Sequence, residues 1–351
     1  MDSAAASWLD PQPAASAYAL PAHCYVGEPA AARDRAAVFA RSWQLVAHAA
    51  QVSAPGDHAV SEIASVPLLI VRGDDGKLRA LHNVCRHRAG PLALCDGRAA
   101  RALACKYHGW TYELDGRLRG APGMGEASDF DVSEIRLPQA RIAEWQGLVF
   151  AALGDAPEFA NVVAAVDARV VDLTFDRRVS YEAACNWKVY VDNYLEGYHV
   201  ARVHPGLNAV LDTNSYATAL ARWSSLQSSP IAADPGQRAL YYWLWPNTML
   251  NLLSGRLQTN RVVPLATDRC RIAFDYYYAA GASAAARAAD LELSDDVQRE
   301  DIAICEAVQR GLASGSYAAG RLNPAQESGV WHFHELLRRA YREQHPAEKP
   351  R

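Results

Sequence analysis

Cys85-Arg86-His87-Arg88 and Cys105-Lys106-Tyr107-His108-Gly109-Trp110 are the two segments on which the reading of this chain turns. Each offers one thiol and one imidazole. A [2Fe–2S] cluster of the Rieske type takes two Cys on one iron and two His on the other, and Cys85, His87, Cys105 and His108 supply that donor set. A structural zinc ion also accepts two Cys and two His. Zinc fingers usually group Cys with Cys and His with His, whereas both halves here are mixed, so the spacing favours the cluster over zinc.

The surrounding sequence reads as a small β domain. Val66 to Val71 is a strand ended by Gly73-Asp74-Asp75-Gly76, Leu78 to Val84 delivers Cys85, and Arg101 to Ala104 delivers Cys105. Asp115-Gly116 marks a hairpin turn. A short helix leads into a strand at Gln44 to His48, Gln146 to Ala151 reads as the closing strand, and Gly154-Asp155-Ala156-Pro157 marks a boundary. The expected organisation is an N-terminal segment (1–42), a cluster domain (43–155) and a second domain (156–351).

Composition removes several function classes. The net charge is −4 over 351 residues and there is no long basic run, which speaks against a nucleic-acid surface. No apolar run approaches membrane-spanning length. Met1 to Ala22 has neither the basic nor the apolar region of a signal peptide. The seven scattered Cys read as reduced thiols in a cytoplasmic protein; those outside the two segments read as small buried hydrophobes.

The second half carries another concentration of ligand-type residues. Asp192, Glu196 and His199 stand at i, i+4 and i+7 and share one face of a helix expected over Tyr190 to Val200. Trp187, Tyr190, Val191, Tyr194 and Tyr198 surround them. Buried unpaired carboxylates are costly, and a metal ion compensates them. His204 follows, just before Pro205. Two His and one carboxylate on one face of Fe(II) leave positions open for O₂ and substrate. A carboxylate candidate is Asp301, on the apolar stripe of a helix expected from a Ser294 cap to Leu312, beside Ile304, Cys305 and Val308; Asp296, Glu300 and Glu306 fit the solvated faces better. Leu240 to Leu253, Leu257 to Leu265 and Cys270 to Ala279 read as strands without βαβ alternation, and Trp331 to Tyr341 as a final helix.

Together these residues resemble the α subunit of the Rieske non-haem iron oxygenases. The matching pieces are Cys85-x-His87-Arg88 with Cys105-x2-His108-Gly109-Trp110, Asn186-Trp187-Lys188, Asp192-Asn193, Glu196-x2-His199-x4-His204-Pro205 and Gln298-x-Glu300-Asp301. Glu196, where many ring-hydroxylating members carry Asp, and Tyr317-x2-Gly320-Arg321, Glu327 and Trp331-His332-Phe333-His334 are similar to the branch of choline monooxygenase and the carnitine and glycine-betaine oxygenases. The resemblance implies an α+β fold: a Rieske β-sandwich beside a helix-grip catalytic domain, an antiparallel sheet flanked by helices. It implies a [2Fe–2S] cluster, a mononuclear Fe(II) held by His199, His204 and Asp301, and O₂ as cosubstrate. It further implies a homotrimer in which Glu196 bridges an iron His and a cluster His of the neighbouring subunit, so that Glu196→Gln keeps both metals but uncouples them. No dinucleotide fingerprint is present, so a separate NAD(P)H-dependent reductase, with or without a ferredoxin, supplies electrons.

The expected reaction is hydroxylation or oxidative demethylation of a small organic substrate of the quaternary ammonium or betaine type. Tyr241-Tyr242-Trp243-Leu244-Trp245, with Tyr216 and Trp223, offers an aromatic box for such a cation, although a strand can turn only alternate residues to one face. Asn193 and Asn247 are candidates to orient a ligand or water near iron. An aromatic ring-hydroxylating oxygenase, a bare Rieske electron carrier and a zinc-stabilised binding protein are the competing readings; the electron carrier leaves His199, His204 and Asp301 unexplained.

Overall fold

Val66–Arg72 is a run of branched apolar residues with almost no alternation, and the computed structural model explains why. Leu69 and Val71 enter one hydrophobic core, with Leu81, Cys85, Cys105, Trp110 and Tyr112. Leu68 and Ile70 enter a second, with Val46, Ala80 and Val149. A strand buried on both faces needs no polar side. The structure describes residues 8–170, 172–253 and 255–344. Contacts divide the chain into two compact units, Phe39–Phe159 and Met1–Val38 with Ala160–Arg351.

In the first unit, the strands are β1 (Gln44–His48), β2 (His58–Ile63), β3 (Val66–Arg72), β4 (Leu78–His82), β5 (Leu103–Ala104), β6 (Thr111–Tyr112), β7 (Leu118–Gly120), β8 (Gln139–Trp145) and β9 (Leu148–Ala152). They form an antiparallel six-stranded sheet, β1-β9-β8-β4-β3-β2, and a three-stranded sheet, β5-β6-β7. The expected closing strand begins at Leu148, because Gln146 and Gly147 both take positive φ and make the β8–β9 turn.

The second unit is built on a seven-stranded antiparallel sheet, β10-β16-β15-β14-β13-β12-β11. Its strands are β10 (Thr174–Ala183), β11 (Ala217–Ala221), β12 (Ser224–Ile231), β13 (Asp234–Leu244), β14 (Thr248–Leu253), β15 (Arg256–Ala266) and β16 (Arg269–Tyr278). The span expected as one strand, Leu240 to Leu253, is therefore a hairpin, folded over Trp245-Pro246-Asn247 with Leu244 opposite Thr248. Chain-order helices are α1 (Glu28–Arg33), α2 (Phe159–Val163), α3 (Trp187–Tyr194), α4 (Val200–Val203), α5 (Pro205–Val210), α6 (Ala284–Ala313) and α7 (Ser328–Gln344). The mixed helix–sheet class read from the sequence is the one observed.

Two helices differ from expectation. α6 starts at a Ser283 cap, whose side chain accepts from the Ala286 N–H, rather than at Ser294. The Ala-rich stretch is good helix former and simply extends the helix; Ser294 faces the sheet, 2.8 Å from the Tyr276 hydroxyl and accepting from Gln258 at 2.9 Å. The helix expected over Tyr190 to Val200 ends at Tyr194 and restarts as α4. Gly197 lies in the break, where a Cβ would meet the Tyr216 ring at 2.7 Å.

α3 is anchored from its N-terminus. Asn186 caps it, accepting from the Lys188 N–H at 3.0 Å. Trp187 Nε1 donates to Asp34 at 2.8 Å, Tyr341 Oη donates to the same carboxylate at 2.5 Å, and the fully buried Lys188 ammonium pairs with it. The Asn-Trp-Lys run therefore fastens α3 to the N-terminal segment and α7. Ala19 N–H to Gly320 and Leu322 N–H to Ala17 tie the same segment to the chain ahead of α7.

Candidate metal centres

In the β unit, Cys85 and Cys105 open two loops of the same design. The carbonyl of each Cys accepts from the residue four on (Ala89, Gly109), and its N–H donates to the residue five on (Gly90, Trp110). Ala89 and Gly109 take the left-handed conformation. Gly90 is required by close approach, since a Cβ there would lie 2.9 Å from Cys105 Sγ. Both thiols are buried. The His87 and His108 rings lie 4.7 Å apart, and His87 stacks on Trp110 at 4.7 Å. His87 Nδ1 is buried with no partner. An orphaned imidazole nitrogen is costly, and a cluster iron satisfies it. The Tyr112 hydroxyl lies 3.2 Å from Cys85 Sγ, a contact of the kind that tunes an iron–sulfur centre.

In the second unit, His199, His204 and Asp301 each bring a ligand atom within 4.8 Å of the others. His199 sits at the start of α4, His204 between α4 and α5, and Asp301 on α6. The orientation is informative. His204 Nε2 lies 3.0 Å and His199 Nε2 3.8 Å from the same Asp301 oxygen. Their outer nitrogens face two other carboxylates, with His199 Nδ1 2.6 Å from Glu196 and His204 Nδ1 2.7 Å from Glu300. If each Nδ1–H donates outward, two imidazole lone pairs and a carboxylate oxygen confront one another. Only protons or a cation relieve that, so the site fits a metal ion. Burial works against the His204 imidazolium, but the Asp301 and Glu300 carboxylates outweigh it, and its pKa stands above the ordinary value.

Glu196 also closes the turn that leads into α4: it accepts from the N–H of Tyr198 and, at 3.1 Å, of His199. Asn193 donates to Asp301 at 2.5 Å. Asp192 leaves the expected common face because the helix stops between it and Glu196; it accepts from Tyr25 Oη at 2.7 Å and lies 2.9 Å from His334 Nε2. Glu300 departs from its expected solvated role, because helix-face spacing could not show His204 approaching from another element. Among the other acids, Glu306 accepts from the Ala184 N–H and Asp296 pairs with Arg299.

A cavity of about 140 Å³ extends from this cluster between α6 and the sheet. Tyr190, Tyr194, Tyr216, Tyr241 and Phe274 line it. Trp243 and Trp245 share the Tyr241 face but lie further along the chain, packed edge-on against Phe333 of α7 in Trp243's case and tilted against it in Trp245's. Trp223 lies under Arg339, and Asn247 is buried in the β13–β14 turn, donating to Val262. Of the expected aromatic box, only Tyr241 and Tyr216 reach the cavity. Cys95 is exposed, unlike the other thiols.

The ring hydroxylating alpha subunit (catalytic domain) family matches residues 170–230 and 214–343, and the Rieske [2Fe-2S] domain family matches residues 42–139. The chain is 35% identical to chloroplastic choline monooxygenase of Arabidopsis thaliana over 328 residues, covering 86% of this chain and 77% of the relative. It is 30% identical to the carnitine monooxygenase oxygenase subunit of Escherichia coli K12 over 354 residues, covering 93% and 95%. The crystal structure of the quaternary ammonium Rieske monooxygenase CntA with substrate gamma-butyrobetaine superposes with a TM-score of 0.84 at 28% identity, covering 95% of this chain and 99% of that one. The chain therefore belongs to the α subunits of the Rieske non-haem iron oxygenases, enzymes with a [2Fe–2S] cluster and a mononuclear iron, in the branch that holds the choline and carnitine monooxygenases.

Proposed function

We propose that this chain is the terminal oxygenase of a system that hydroxylates or oxidatively dealkylates a quaternary ammonium compound. The observation that carries the reading is the His199–His204–Asp301 cluster opening into a cavity walled by four tyrosines and Phe274. Aromatic faces attract an alkylammonium without requiring a counter-ion. Residues 43–155 form the cluster domain, with Cys85 and Cys105 on one iron and His87 and His108 on the other. Residues 156–351 form the iron domain, with the described N-terminal residues up to Val38 packed on it. His199, His204 and Asp301 hold the mononuclear iron. The bound iron supplies activation of O₂, which with two electrons and two protons puts one oxygen atom into the product and one into water.

The chain's own side chains set the conditions for that chemistry. Glu196 and Glu300 hold the Nδ1 protons outward, which turns both Nε2 lone pairs to one point and raises their basicity. Asn193 fixes one Asp301 oxygen. Tyr190, Tyr194, Tyr216 and Tyr241 keep the cavity apolar around the cation. Glu300→Ala is expected to weaken iron binding about 10- to 100-fold; competition titration of Fe(II) against a chelator, with cluster content unchanged, measures it, and wild-type affinity removes Glu300 from this role.

Electrons come from a separate NAD(P)H-dependent reductase, with or without a ferredoxin. We further propose a cytoplasmic homotrimer in which Glu196 couples His199 to a cluster His of the neighbouring subunit. Support comes from a second cavity of about 580 Å³ on the other side of α3. Glu196, Asp192, Glu327 and His334 line it, along with the partly exposed Ile304 and Val308. Among the described residues no helix is long and apolar enough to cross a membrane, and all seven cysteines are free. Reductase-coupled or peroxide-driven turnover with a panel of choline, betaines and aromatic acids tests the function. Release of an aldehyde from a methylammonium substrate is the expected product; a cis-diol from an aromatic acid sinks the reading.

A further inference from the structure

The substrate cavity carries one feature that an ammonium ion does not need. Of the described residues that line it, Arg256 is the single Arg or Lys. Its guanidinium is largely withdrawn from solvent, with Nε 2.9 Å from the Asp290 carboxylate in an ion pair that lacks hydrogen-bond alignment, and Nη2 donating to Gln258 at 2.7 Å. Asp290 is held in turn by the Tyr278 hydroxyl at 2.8 Å. An arginine has five N–H donors in a fixed fork, so these two contacts leave capacity for an incoming anion.

The position of this pair follows from the elements. Asp290, Ser294, Gln298 and Asp301 succeed one another on one face of α6, and Arg256, Gln258 and Asn260 alternate on the facing strand β15. Asp290 lies about three helical turns from Asp301, roughly 16 Å along the axis. The cavity is thus an elongated slot with the metal-ligand cluster at one end and Arg256 at the other, and tyrosines between. Its middle also holds unspent hydrogen-bonding groups: Gln298 Nε2 and Asn260 Oδ1 are buried without partners.

We propose that Arg256, oriented by Asp290 and Gln258, binds the carboxylate of a zwitterionic substrate whose ammonium end lies among the tyrosines. This rests on the quaternary ammonium reading and narrows it: the preferred substrates are betaines with the carboxylate several methylenes from nitrogen, rather than choline. Side chains reach in from both ends, so the free span is shorter than the helix distance. A six-bond reach from methyl carbon to carboxylate oxygen, as in gamma-butyrobetaine, covers about 7 Å, while the four bonds of glycine betaine cover roughly 5 Å.

The test is calorimetric binding to the anaerobic holoenzyme, so it does not depend on turnover. The ligands are choline, glycine betaine, gamma-butyrobetaine and gamma-butyrobetaine methyl ester. The acid is expected to bind at least about tenfold tighter than its ester and than choline, the gain of a charge-assisted fork contact. Arg256→Gln combined with Asp290→Asn, which removes both charges together, is expected to bring the acid-to-ester ratio to within about twofold. Equal binding of acid and ester by the wild-type protein overturns the proposal, as does a double variant that keeps the ratio. If the double variant fails to fold, the wild-type ratio decides alone. If none of the four ligands binds, the quaternary ammonium reading itself falls, an outcome distinct from equal binding of acid and ester.

Discussion

Glu196→Gln is expected to lower coupled turnover by about 100-fold, the upper end of what losing a carboxylate partner of a metal ligand costs, while the cluster remains fully loaded. The carboxylate is used twice: one oxygen caps the turn ahead of α4 by accepting from the Tyr198 and His199 N–H groups, and the other lies 2.6 Å from His199 Nδ1. Gln offers one acceptor oxygen and an amide that can only donate. It therefore keeps either the cap or the His199 contact, and the surrendered contact loosens the ligand orientation. Iron affinity falls with it, by less than in Glu300→Ala if the cap is what is given up. The expectation that the variant keeps both metals unchanged is thus modified by the geometry to retention with weakened iron. Cluster EPR, iron content and single-turnover rate from pre-reduced protein separate the possibilities. An intact cluster signal and near-complete iron with a collapsed single-turnover rate is the bridge signature. Near-normal turnover ends the bridging role.

What was legible in the sequence was chemistry with local spacing. Cys85 with His87 and Cys105 with His108 could be read because each pair sits in one short loop, and the loops share a backbone design. His199 and His204 flank one turn of α4 for the same reason. Asp301 was a candidate because a carboxylate on an apolar stripe needs a partner. Glu300 and Arg256 escaped because their meaning depends on a second element. Glu300 is an ordinary surface glutamate until His204 is placed 2.7 Å away, and Arg256 an ordinary strand residue until α6 encloses it. The fold errors have the same origin. Tyr190 to Val200 has helical periodicity throughout, yet Gly197 must pass close under Tyr216, and the helix yields. Trp243 and Trp245 have the chemistry of a cation box, but α7 covers that end of the sheet and makes them core.

Asp34→Ala is expected to destabilise the catalytic unit by about 3–5 kcal/mol, the cost of leaving a buried charge unpaired. The charge is the Lys188 ammonium, which is 0% exposed and has Asp34 as its carboxylate partner. The same substitution removes the carboxylate that accepts from Trp187 Nε1 and from the Tyr341 hydroxyl, both on fully buried side chains. Against a typical total of about 5–15 kcal/mol, this is a large fraction, and thermal unfolding should begin roughly 10 °C lower. The consequence reaches the iron site through the chain: α3 starts at Trp187, carries Asn193 and leads within one loop to His199 and His204. Iron retention should therefore fall in parallel with stability, although Asp34 touches none of the three ligands. Asp34→Asn with Lys188→Met removes both charges and keeps one acceptor oxygen, so it should be less destabilised than Asp34→Ala. Urea unfolding of the three proteins, with iron content followed in parallel, checks the order. A single Asp34→Ala variant within about 1 kcal/mol of wild type would show that the Asn-Trp-Lys run does not owe its place in this sequence to a buried anchor.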